Sequence, residues 1–182
     1  TSLNHYSATN VVLNKQSGNL TIDNTASGAN GIDTGAVANS TWYYIWSLLK
    51  ADGTNCGVFS LSATFGGLTL PADYLYGRCV GAIRTNGTAD FIPGTWQNGW
   101  FFYTAPPTAG TVAVTATWTD IDCSQELPIG ISKLGNFSMK NSSHDYLAAI
   151  RQKGSTQQMG FVNYGPGDNV IQGGYNCPTD SA

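Results

Sequence analysis

Residues 40–51 read STWYYIWSLLKA, Asp52-Gly53 follows, and residues 56–63 read CGVFSLSA. Aromatic and branched residues dominate the first run, the composition of a pleated, buried strand. Asp52-Gly53 between two such runs signals a hairpin, because both central positions of a type I′ turn need positive φ. The stretch therefore predicts two antiparallel strands and a tight turn. The same pattern recurs outward. Residues 74–85 (YLYGRCVGAIRT) read as a second long strand, Asn86-Gly87 as its turn and residues 89–92 as the return. Residues 95–103 (TWQNGWFFY) read as a third aromatic strand in which Gly99 marks a bulge. After Ala105-Pro106-Pro107 breaks the chain, residues 110–119 (GTVAVTATWT) alternate with period two, as a half-buried strand does. Shorter strands are expected over 127–134, 136–139, 145–152, 157–162 and 169–172. Residues 143–152 also admit a helix capped by Ser143; strand is preferred there.

Composition agrees with an all-β chain. Only 10% of the 182 residues are charged, while Gly, Ser, Thr and Asn supply 72 of them. Glu126 is the sole Glu, which excludes a helical bundle or coiled coil. A hydrophobic share of 41% excludes a disordered tail. Eight scattered cations and a net charge of -3 argue against nucleic-acid binding by counterion release. No run approaches the length needed for a membrane span, so no membrane insertion is expected. The expected architecture is a single antiparallel β-sandwich domain over 1–182, jelly-roll-like. Residues 1–30 would form an N-terminal arm or attachment strand. The chain opens on Thr1, which suggests processing or, by preference, a fragment of a longer protein. Cys56, Cys79, Cys123 and Cys177 are widely spaced, which disfavours zinc and favours buried free thiols; two disulfides would have three connectivities.

An ordered set of segments carries a resemblance. It runs Gly31-Ile32-Asp33-Thr34-Gly35, Asn39-Ser40-Thr41-Trp42-Tyr43, Ser60-Leu61-Ser62-Ala63-Thr64, Leu70-Pro71-Ala72-Asp73-Tyr74, Gly81-Ala82-Ile83-Arg84-Thr85-Asn86-Gly87 and Phe91-Ile92-Pro93. Gly31-x-Asp33-x-Gly35 suits a tight turn with an Asx cap, and Arg84 is placed to pair with Asp90. Over about residues 30–105 the chain resembles adsorption (receptor-binding) modules of bacteriophage tail fibres and head fibres. The resemblance implies a virion-surface module, a homotrimer among other virion proteins, that takes part in attachment to a host glycan or protein receptor. It implies no active site and no cofactor. Residues beyond about 105 fall outside the pattern and read as a strand-rich extension.

Candidate chemistry is sparse. His144 and Asp145 are sequence neighbours and on a strand would point apart, so they assemble no triad. Asp120 and Asp122 flank Ile121 and share a strand face, with Glu126 near, but solvated turn residues account for them. No metal site is expected. Trp42 and Trp46 share a face with Tyr44 and belong in the core. Trp96 and Trp100 flank Gln97 and Asn98, and this mixture of rings and amides makes the four the sugar-contact candidates, although burial in the sandwich or at a trimer seam is the preferred role for the rings. The alternative to the phage reading is a carbohydrate-binding sandwich module of a secreted polysaccharide-degrading enzyme. A polysaccharide-degrading enzyme itself is disfavoured by the scarcity of acids.

Overall fold

The computed structural model describes residues 2–6, 11–15, 20–97, 100–105 and six short strands between 134 and 178; side chains are described over 20–97 and 101–105. The chain divides into two compact units, Thr1–Thr108 and Ala109–Ala182. The fold is all-β. Every pair of named strands is antiparallel, and the one helical turn among the described residues is the 3-10 turn Phe65–Gly67.

The first unit holds β1 (Ser2–Tyr6), β2 (Val11–Lys15), β3 (Trp42–Lys50), β4 (Asn55–Ser60), β5 (Tyr74–Arg84), β6 (Gly94–Gln97) and β7 (Trp100–Tyr103). Five of these form one sheet in the order β2-β1-β5-β3-β4, and β6 and β7 pair as a separate hairpin. The strand expected over 40–51 is β3, an inner strand of the described sheet, flanked by its expected hairpin partner β4 on one side and by β5 on the other. The sheet is packed on both faces. On one, Tyr43, Phe59 and Phe91 meet edge to face in all three pairings, with centroids 5.4, 6.2 and 5.2 Å apart. Ile22, Ile32, Val37 and Ile83 close around them. Each such ring pair contributes about 0.5–1.5 kcal/mol beyond area burial. On the other face Tyr44, Trp46, Leu48, Cys56 and Val58 are buried, and Phe65 packs over Gly77 and Trp46.

The outer edge of β4 is closed by the 30–33 segment. Asn30 N–H donates to the Gly57 carbonyl, Phe59 N–H to Gly31, and Asp33 N–H to Phe59. Satisfied edge groups offer no template to another strand. Asp33 departs from its expected local role. Its buried Oδ2 accepts the Ser60 hydroxyl at 2.8 Å and the Thr69 N–H at 3.1 Å, so it ties three segments together instead of capping its own turn.

The second unit holds β8 (Leu134–Asn136), β9 (Met139–Asn141), β10 (Ala148–Ile150), β11 (Met159–Phe161), β12 (Asn169–Ile171) and β13 (Asn176–Pro178), paired as β10-β11, β12-β9 and β13-β8. Strand is thus found at 148–150, where a helix was the alternative. The expected strand over 136–139 is divided between the end of β8 and the start of β9. The expected strand over 110–119 lies outside the described residues.

Candidate functional site

The 95–103 run is not one bulged strand. It folds back as the β6–β7 hairpin, with Gly94 opposite Tyr103, Thr95 opposite Phe102, Trp96 opposite Phe101 and Gln97 opposite Trp100. Asn98 and Gly99 fall between the paired ends and lie outside the described residues. The overlooked signal was Asn98-Gly99 itself, the strongest short-range hairpin dipeptide when strand residues flank it. The apolar residues on both sides disguised it as a bulge.

Alternation then sorts the side chains. Trp96, Phe101 and Tyr103 are half-buried, while Thr95, Gln97 and Phe102 are exposed. The Trp96 indole N–H donates to the Ala82 carbonyl of β5 at 2.8 Å. Its ring lies so close to Gly81 that a Cβ there would come within 2.8 Å of it. Phe101 packs on Trp96 at 5.5 Å, and Tyr103 meets Phe101 edge-on at 4.9 Å. One hairpin face is therefore anchored to β5 by an aromatic row. The other presents Phe102, 55% exposed, between a hydroxyl and an amide.

The sequence-derived candidates separate accordingly. Trp96 turns inward and its N–H is already occupied. Gln97 is exposed, and its backbone partner is Trp100, whose side chain lies outside the described residues, as Asn98 does. Phe102, which sequence reasoning passed over, is the exposed ring among the described residues of the hairpin. Counting alternation outward from Asn98-Gly99 would have put it on one face with Thr95 and Gln97.

Charge gathers elsewhere. Lys50, Ala51, Asp52, Asp73 and Leu75 line an open depression of about 400 Å³. Lys50 Nζ stands 3.5 Å from Asp73 and 5.0 Å from the Tyr74 ring centroid. The Thr54 N–H and hydroxyl hold Asp52 below the ordinary carboxylate range. Burial, with Cys56 adjacent, pushes Tyr74 up to about 12. Cys56 and Cys79 are free thiols, and burial pushes both up, the opposite of an activated nucleophile. Among the described residues, no three His, Cys, Asp or Glu side chains converge as metal ligands. Asp120, Asp122, Glu126, His144 and Asp145 lie outside them.

No family model, no curated protein and no solved structure matches this chain.

Proposed function

We propose that the chain is a bacteriophage virion structural protein. It is a fibre or appendage module of antiparallel, jelly-roll-like β-sandwich form, homotrimeric on the virion surface, and takes part in host-cell attachment without catalysis. One observation carries this reading: the segments that resemble phage adsorption modules are the segments that lock onto one another. Asp33 of the first accepts Ser60 of the third. Tyr43 of the second packs on Phe91 of the sixth. Thr85 of the fifth accepts the N–H of Thr41 of the second at 2.9 Å. An ordered motif that also forms one interlocked unit is what a module requires. The charge-poor surface agrees with a protein packed among its own copies, where ordering long Lys and Glu side chains is costly.

The test is light scattering on the full chain after size exclusion. The expected mass is three times the 19.2 kDa of one chain. A strict monomer at all concentrations overturns the trimeric appendage. Release of reducing ends from bacterial polysaccharide overturns the non-enzymatic assignment.

A further inference from the structure

We infer that the outward face of the β6–β7 hairpin, centred on Phe102, is a contact site for a neutral saccharide. The inference rests on the attachment reading and names the receptor class as glycan. Thr95 and Phe102 are a direct cross-strand pair, and Gln97 follows Thr95 by two residues on the same exposed face. A pyranose presents an apolar C–H surface ringed by hydroxyls. It needs a flat apolar platform beside groups that both donate and accept. Phe102 supplies the platform, the Gln97 amide both donates and accepts, and so does the Thr95 hydroxyl.

These three side chains carry no charge, so a charged ligand gains nothing from them. The platform is rigid from behind, because Trp96 is bonded to Ala82 and seated on Gly81. A site held on a fixed element loses little entropy when it binds.

The experiment uses the full chain on a printed array of neutral bacterial-surface oligosaccharides, followed by titration of whichever array sugar binds. Phe102→Ala is expected to weaken binding about tenfold or more, and Phe102→Tyr, which keeps the ring, to stay within about threefold. Both variants should melt with the parent, since the ring is exposed. Light scattering on the same samples separates the two readings. A trimer that binds no array sugar, or that binds equally after Phe102→Ala, overturns the saccharide site and leaves the appendage reading standing. A monomer whose sugar binding depends on Phe102 does the reverse. A trimer that dissociates on Phe102→Ala makes this face a subunit contact and also overturns the site.

Discussion

The loops at 50–54 and 86–90 have the same backbone plan and opposite ways of holding it. In the first, Lys50 N–H donates to the Thr54 carbonyl at 2.8 Å and Gly53 N–H to Lys50 at 3.2 Å. In the second, Asn86 N–H donates to Asp90 at 2.8 Å and Ala89 N–H to Asn86 at 3.4 Å. Each is therefore a three-residue loop whose third residue is left-handed, Gly53 at φ 89° and Ala89 at φ 65°. Neither is the two-residue type I′ turn that Asp52-Gly53 and Asn86-Gly87 suggest, since neither Asp52 nor Gly87 has positive φ. Glycine enters the left-handed region freely, whereas alanine is strained by roughly 1–2 kcal/mol. The first loop thus follows its sequence, and the second is imposed on it. The imposing groups are visible. Asn86 Oδ1 accepts Thr88 N–H, Thr88 Oγ1 and Asp90 N–H. Ser40 N–H, on a neighbouring segment, donates to the Asn86 carbonyl at 2.7 Å. Strain of this kind persists only where the surroundings over-determine the backbone.

The largest effect is expected at the anchor beneath the strained loop. Thr85 is fully buried. Its Oγ1 accepts Thr41 N–H at 2.9 Å and donates to the Ala38 carbonyl at 2.6 Å. Thr85→Val keeps the shape and removes both bonds, leaving the half-buried Thr41 N–H and the Ala38 carbonyl without their partner. Urea unfolding should show a loss of about 2–3 kcal/mol. A loss under about 0.5 kcal/mol would mean that water replaces the hydroxyl and that the second loop is not held from below.

Next comes Asn86→Ala, which deletes one acceptor serving three donors. A cost of about 1–2 kcal/mol is expected, on the scale of a lost helix cap. Amide hydrogen exchange should accelerate at Thr88 and Asp90 and stay unchanged at Thr54. Equal acceleration in both loops would erase the contrast between them.

Both loops also mark how far the sequence could be read. Strand β3 was legible because its aromatic and branched residues suit a strand in either register. The 86–90 turn was legible as a turn but not in its geometry, because Asn-Gly draws attention to residues 86 and 87 while loop length sets positive φ at residue 89. The β6–β7 hairpin was misread for a related reason: Asn98-Gly99 lies inside an unbroken aromatic run, so composition outweighed turn chemistry. Asp33 was placed correctly in a turn segment, yet its partners stand 27 and 36 residues further along, beyond any local pattern. The candidate site was half legible. Its mixture of rings and amides stands in the sequence, but which ring faces outward depends on Gly81 accepting Trp96, a tertiary fact.

Gly53→Ala puts into the first loop the strain that the second already carries. A Cβ at Gly53 would meet no atom within 4 Å, so the penalty is purely conformational. The left-handed strain is partly offset by the lower entropy of an unfolded chain carrying alanine, which leaves a net loss of about 1 kcal/mol. No loss at all would show that the first loop had slackened into another turn, and the Lys50–Thr54 pairing should then vanish from hydrogen exchange.

Ala89→Gly is the reciprocal change and the smallest effect. Relief of the left-handed strain is opposed by the greater entropy of the unfolded glycine chain, so the expected outcome is a gain of about 0.5 kcal/mol. Its sign matters more than its size. Most substitutions destabilise, and glycine for alanine in a strand or helix nearly always does, so a gain singles out the backbone conformation as the cause. A loss would mean that the Ala89 methyl, half-buried against its surroundings, contributes more by packing than it costs in strain. In the Asn86→Ala background the gain should shrink. Once the three donors are released, nothing compels residue 89 into the left-handed region, and glycine has no strain left to relieve there. An undiminished gain would show that the strain at residue 89 is imposed by Thr85 and Ser40 alone, not by the Asn86 side chain.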